Sequence, residues 1–73
     1  MAEDTGGVVK IMELVGSSPN SFSEAVKNAV KEAAKTIRGI QGVDVISSNA
    51  TVGDSGELTN YKVQVRIAFL VER

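Results

Sequence analysis

The sequence lacks cysteine, histidine and tryptophan. Without cysteine the chain cannot form a disulfide, a thiolate metal site or a cysteine nucleophile. The absence of histidine removes the usual general base and the commonest metal ligand. A single domain of 73 residues buries only a modest core, and small domains normally need an additional source of stability. We therefore expect oligomerisation to supply it.

Positive charge and aromatic side chains are also scarce. Eight basic and nine acidic residues give a net charge of −1, whereas nucleic-acid binding normally requires a basic face. The aromatic residues are Phe22, Tyr61 and Phe69, too few for a platform that stacks bases. No apolar run approaches the length of a membrane span, and the acidic start MAEDTGG has no hydrophobic signal core. We expect a cytoplasmic protein without nucleic-acid or membrane partners.

The clearest element is an amphipathic helix, predicted from Ser21 to Arg38. Ser21 begins an S-x-x-E capping box with Glu24, and Gly39 is predicted to cap the other end. Apolar residues recur at spacings of three and four, which places them on one face. Alanines one turn apart would let this helix lie close to a sheet: Ala25, Ala29 and Ala33.

Three strands are predicted, from Val8 to Val15, from Val43 to Val52 and from Tyr61 to Val71. The third alternates strictly, and the helix is predicted to cover its apolar face. A right-handed crossover then gives an α+β fold, β-α-β-β, with a three-stranded antiparallel sheet in the order 1-3-2 packed on one helix. We expect residues 1–7 to be disordered and residues 8–73 to form a single domain.

One helix leaves the opposite face of the sheet uncovered. We expect apolar side chains on that face, namely Met12, Leu14, Ile46, Ala68 and Leu70. An exposed apolar patch and two open sheet edges are typical of a subunit interface. The sequence therefore predicts an obligate homo-oligomer.

Enzyme signatures are absent, because the sequence has no nucleophile elbow, P-loop or dinucleotide fingerprint. Asp54, Ser55 and Glu57 offer oxygen ligands in one turn, but their spacing does not match a calcium-binding EF-hand. Ordinary turn chemistry explains this segment better than a metal site. We predict a protein that is not an enzyme.

Three long polar side chains, Lys62, Gln64 and Arg66, alternate along the third strand and point away from the helix. At a subunit interface they would need partners. The first interpretation is a set of ion pairs between subunits, with Asp44, Glu13 or Glu72 as the carboxylates. The alternative is a polar wall that binds an anionic ligand.

Three segments make the chain similar to the dodecin family: ELVGSSP before the helix, KTIRG at its end and YKVQVRIAF in the last strand. The resemblance extends from about Val8 to Glu72. It implies a hollow shell of twelve copies that binds flavins in pairs near two-fold interfaces and stores them.

In flavin-binding dodecins a tryptophan after the helix stacks on the flavin ring, and a glutamine in the last strand hydrogen-bonds its polar edge. Gly42 and Lys62 stand at these two positions. The resemblance thus implies a ligand site that contains Gly42, Asp44, Lys62 and Gln64. Because glycine offers no stacking surface and lysine cannot accept a hydrogen bond, we expect weak or no flavin binding in that geometry. The predicted function is a non-enzymatic shell for binding or storing a small ligand; the alternative is a structural or ion-binding dodecamer without flavin.

Overall fold

The computed structural model describes residues 7–71. Its elements are β1 (Val8–Ser18), α1 (Phe22–Ala34), β2 (Ile40–Val52) and β3 (Leu58–Val71). β3 pairs antiparallel with both other strands, so the order is β1-β3-β2. This confirms the predicted β-α-β-β topology. The domain limits stay a prediction, and residues 1–6 of the segment expected to be disordered lie outside the described residues.

The start of α1 is held by side-chain hydrogen bonds. The Oγ of Ser21 accepts the N–H of Glu24 at 3.0 Å, as the capping box predicts. The Glu24 carboxylate accepts from Ser18 Oγ at 2.6 Å and from Asn20 Nδ2 at 2.7 Å. These bonds, that of Ser18 first, hold the pKa of Glu24 below its usual value. Ser18 is 1% exposed and joins the end of β1 to the first turn of the helix.

The helix ends at Ala34, four residues before the predicted end at Arg38. The N–H of Thr36 donates to the carbonyl of Ala33 at 3.2 Å, a tightened last turn. Gly39 has a φ of 76°, a left-handed conformation that suits glycine. Its carbonyl accepts the N–H of Leu70 at 3.0 Å. Gly39 therefore directs the chain into the sheet and does not cap the helix.

The small face of α1 lies against β3. The buried core consists of Ala25, Ala29, Ala33, Val63, Val65 and Ile67. The helix comes very close to β1 at Gly16, where a Cβ would lie 2.1 Å from the carbonyl oxygen of Ala25. The close approach that the alanine stripe predicts is confirmed, and it depends on a glycine in the facing strand.

The predicted assignment of faces in β1 is wrong. Met12 pairs with Ile67 and Leu14 pairs with Val65, so both lie on the face that α1 covers. β1 carries apolar residues on both faces, and its alternation alone does not say which face the helix takes. Gly16 decides this, because the helix needs a residue without a side chain at the contact and Gly16 lies on the same face as Leu14.

On the face away from α1, the exposed apolar residues of β1 are instead Val9, Ile11 and Val15, which are 43%, 54% and 66% exposed. Ala68 and Leu70 lie on this face as predicted, since they pair with Ile11 and Val9. Ile46 lies at a register shift between Val45 and Ser47 and pairs with no residue of β3.

Candidate functional site

The candidate site is the sheet face turned away from α1, which we call the open face. Paired residues of the three strands lie side by side on it in rows. From one end to the other, the rows in the order β1, β3, β2 are Ser17–Lys62–Asn49, Val15–Gln64–Ser47, Glu13–Arg66–Asp44 and Ile11–Ala68–Gly42. All four residues of the predicted ligand site therefore lie on the open face.

Glu13 organises the middle of the open face. Its Oε2 accepts from Arg66 Nη2 at 3.1 Å, and its Oε1 accepts from Gln64 Nε2 at 3.3 Å. Ser47 Oγ donates to the other end of the Gln64 amide at 3.3 Å. A hydrogen-bonded chain thus crosses all three strands, and both ends of the Gln64 amide are engaged in it.

The ion pair of Arg66 with Glu13 joins two strands of one chain. The sequence predicted partners for Arg66 in another subunit, so this part of the first interpretation is wrong. The antiparallel register places residue 13 directly opposite residue 66, and cross-strand pairs of opposite charge are a normal feature of sheets. Glu72, the third predicted carboxylate, lies outside the described residues.

Lys62 and Asp44 differ from Arg66 and Glu13 because neither forms an ion pair within the described part of the chain. Both side chains are exposed. Lys62 lies between the neutral residues Ser17 and Asn49, and Asp44 lies beside the already paired Arg66. The open face therefore carries one cation and one anion that are free to bind something else.

Gly42 lies at the far end of the same face and has free space above it. A Cβ built there meets nothing within 4 Å. Gly42 pairs with Ala68, six residues from Lys62 in β3, which corresponds to about 20 Å along the strand. A small ligand that contacts both positions must therefore take them from two different copies of the chain.

The sequence predicts that the segment from Gly53 to Gly56 is an ordinary turn and not a metal site. Its hydrogen bonds agree with a turn. The N–H of Gly53 donates to the carbonyl of Glu57 at 2.8 Å. Ser55 Oγ donates to the carboxylate of Glu57, and this bond lowers the pKa of that carboxyl group. Among residues 7–71, no three acidic side chains are grouped so that they could hold a metal ion.

A concave surface of about 290 Å³ lies on the helix side of the sheet near the end of β3. Lys10 and Arg38 flank it, and Ile37 and Phe69 contribute apolar lining. Lys10 and Arg38 are both exposed, and neither forms an ion pair within the described part of the chain. None of the predicted ligand-site residues lines this surface.

Within residues 7–71 the helix has 13 residues, and nothing there forms a helical membrane span. The fold and the open face define a class: a small α+β chain whose sheet is covered by a helix on one side only, with an amphipathic second side.

Comparison with known proteins supplies the family. The sequence model of the Dodecin family matches residues 8–72, and the chain belongs to that family. It is 33% identical over 67 residues to the dodecin of Thermus thermophilus, which covers 92% of this chain and 96% of that protein. It is 29% identical over 62 residues to a protein of Mycobacterium tuberculosis named calcium dodecin, over 85% of this chain and 86% of that protein.

The structural match is equally broad. The crystal structure of a Thermus thermophilus dodecin mutant matches this chain with a TM-score of 0.87 at 32% identity, covering 93% of this chain and all of that one. The match confirms the fold and its dodecin character. The identity of the small molecule or ion depends on the residues of this chain and does not follow from the match.

The sequence did not identify two residues of this site, Ser47 and Glu13. Ser47 was not considered at all, and Glu13 was considered only as a partner across subunits. The strict alternation of β3 could have suggested the Glu13–Arg66 pair once the strand order was set. The bulge that brings Ser47 opposite Gln64 has no comparable signal, because a register shift in an edge strand depends on the packed sheet.

Proposed function

We propose that this protein is a non-enzymatic homo-oligomeric shell of the dodecin type, with twelve copies, that binds or stores a small ligand between open faces. Dodecins form homo-oligomers, and the exposed apolar residues of this chain support assembly. Only six hydrophobic residues are buried within the described part of the protomer, whereas ten large ones are exposed. Covering them would supply the stability that the small core lacks.

The proposal rests on which of the four predicted ligand-site residues have free space or lack a partner within the protomer. Gly42 leaves room at one end of the open face, and Lys62 and Asp44 offer unpaired charges. Gln64 is already occupied by Glu13 and Ser47, so we assign it to the wall of the site and not to direct recognition.

The ligand differs in chemistry from the flavin that the family resemblance implies. A flavin held in the usual geometry needs an aromatic ring to stack on and an amide that both donates and accepts. Here the first position offers a hydrogen atom and the second an ammonium group. We therefore propose that flavin binds weakly. The site accepts a small molecule whose binding does not depend on stacking against an aromatic side chain.

The second candidate is an ion-binding or structural shell without an organic ligand. The relative named calcium dodecin supports ion binding in the family. The described residues of this chain do not group three carboxylates, which favours an anion at Lys62 over a divalent cation within one protomer.

Two measurements on purified protein test the proposal. Sedimentation equilibrium should give a mass of twelve times the 7.7 kDa chain, and a folded monomer at micromolar concentration would refute the shell. Titration with riboflavin or FMN should leave the flavin fluorescence nearly unchanged at low micromolar ligand. Strong quenching there would show that this chain binds flavin despite Gly42 and Lys62. The cytoplasmic location stays a prediction.

A further inference from the structure

We infer that a second copy of this chain covers the open face through two reciprocal ion pairs, in which Lys62 of each copy binds Asp44 of the other. The inference rests on the proposed homo-oligomer and deepens it by naming the contact that sets the register between copies. It also decides which of the two interpretations of Lys62 applies, because a carboxylate of another copy of the chain takes the place of a bound anion.

The charges of the open face are balanced but not locally paired. Its four charged side chains in the described part of the chain are Glu13, Asp44, Lys62 and Arg66, and their formal charges cancel. Glu13 and Arg66 neutralise each other at 3.1 Å. One cation, Lys62, and one anion, Asp44, remain.

These two groups cannot pair within one chain. Asp44 lies opposite Arg66, four residues from Lys62, which is roughly 13 Å along the strand. An ion pair requires the nitrogen and oxygen atoms to be within about 4 Å of each other. Each group therefore needs a partner from outside the protomer.

The open face also carries apolar side chains whose burial is favourable. Val9, Ile11 and Val15 expose about half of their surface on this face, and covering them is favourable. Covering Lys62 and Asp44 as well, without partners, would be costly. A suitable cover must therefore bring a carboxylate to Lys62 and a cation to Asp44, about 13 Å apart.

A second copy of the chain meets this requirement by symmetry. In a two-fold contact, if residue i of one copy touches residue j of the other, then j also touches i. One placement of the second copy thus forms both ion pairs at once. A contact of Lys62 with Lys62 of the other copy would bring like charges together and is unfavourable.

The position of the symmetry axis supports this register. The axis must pass midway between Lys62 and Asp44, near the row of Val15, Gln64 and Ser47. Residues at a two-fold axis meet their own copies, so charged residues would repel there. All three are uncharged, and Val15, 66% exposed, is the most exposed large hydrophobic residue described.

The ion pairs have a consequence for ligands. An ammonium group that is bound to a carboxylate of the other copy is not available to the polar edge of a flavin. The room at Gly42 lies outside the pair, in the next row, and Asp44 separates it from the lysine. A ligand at this interface is then bordered by the ion pair and recognised by the surface around Gly42.

Charge reversal tests the inference. The variants are Lys62→Asp, Asp44→Lys and the double variant that carries both changes; Lys31→Asp on the exposed surface of α1 is the matched control. Sedimentation velocity over a range of chain concentrations, in a fixed amount of urea that makes dissociation measurable, gives the apparent dissociation constant. Each single reversal should weaken assembly at least tenfold, since it creates two like-charge contacts per interface. The double variant should recover most of that loss, and the control should behave like the unmodified chain.

The outcomes separate the two proposals. If the unmodified chain is monomeric, the shell itself is wrong. If the unmodified chain assembles but the double variant assembles no better than the weaker single variant, the shell stands and the Lys62–Asp44 pair is wrong. Single variants that assemble as tightly as the unmodified chain would also overturn the pair. Since both residues are exposed in the protomer, circular dichroism of each variant without urea, at a concentration at which it is assembled, should show an unchanged fold.

Discussion

Replacing Gly16 with alanine should destabilise the protein more than the same replacement at Gly42, the other glycine within the strands. The added Cβ would lie 2.1 Å from the carbonyl oxygen of Ala25 and 2.9 Å from the Cβ of Ala29. Ordinary van der Waals contact begins near 3.4 Å. The first obstacle is backbone, so the helix has to move outward by roughly 1 Å, and a gap of that size forfeits a quarter to a half of each lost contact.

The magnitude follows from these contacts. Overpacking of this kind costs about 1–3 kcal/mol, and alanine recovers about 0.5–1 kcal/mol of chain entropy relative to glycine. We expect a net loss of about 1–2 kcal/mol in the free energy of unfolding, because the obstacle is backbone and the cost lies in the upper part of its range. Urea titration followed by circular dichroism measures it, at one fixed chain concentration because oligomer stability depends on concentration.

Two further variants make this prediction sharp. Gly42→Ala is the matched control, because its Cβ meets nothing within 4 Å and only the chain-entropy gain of about 0.5–1 kcal/mol is expected. Adding Ala29→Gly to the Gly16→Ala variant should not restore stability, since the carbonyl of Ala25 still blocks the methyl group. A Gly16→Ala variant as stable as the control would refute the reasoning, and rescue by Ala29→Gly would show that the obstacle is a side chain.

The remaining predictions concern the helix start and the ligand site. The hydrogen bonds from Ser18 and Asn20 lower the pKa of Glu24 in the folded protein, so their contribution to stability is present above the ordinary value of 4.5 and is lost as the pH falls through the folded pKa. Ser18→Ala should raise the pKa of Glu24 towards that value, measured by NMR titration of the carboxyl group; an unchanged pKa would contradict the assignment of Ser18 as the main cause. The pair Gly42→Trp and Lys62→Gln should bind FMN at least tenfold more tightly than the unmodified chain, which is about 1.4 kcal/mol, because it adds a stacking surface and an amide. Flavin fluorescence quenching measures this, Lys62→Gln alone is the control, and an equally weak double variant would place the ligand site elsewhere.

Local chemistry made several elements predictable. The S-x-x-E pattern at Ser21 locates the helix start because a cap involves residues only three apart. The strict alternation of β3 identifies its buried face because the side-chain period of a strand is two. The strand order followed from chain handedness, since a crossover through a helix has one preferred hand.

The helix end and the faces of β1 were not predictable in the same way. Between Lys35 and Arg38 the residues favour a helix locally, yet the backbone turns towards the sheet so that Gly39 can bond to Leu70. Leu14 and Val15 are equally apolar, and only the close approach of α1 at Gly16 places the first on the buried face. In both cases a tertiary contact overrides a local preference.

The sequence by itself determined the class of this protein: an α+β fold with strand order 1-3-2 and the dodecin pattern. It also predicts that Gly42 and Lys62 stand in place of the two flavin determinants. These properties depend on residue type and spacing along one chain. The tertiary structure decided which charges on the open face are already paired. Glu13 and Arg66 are far apart in sequence and meet only through the register of β1 on β3, and that pairing leaves Lys62 and Asp44 for a contact between copies.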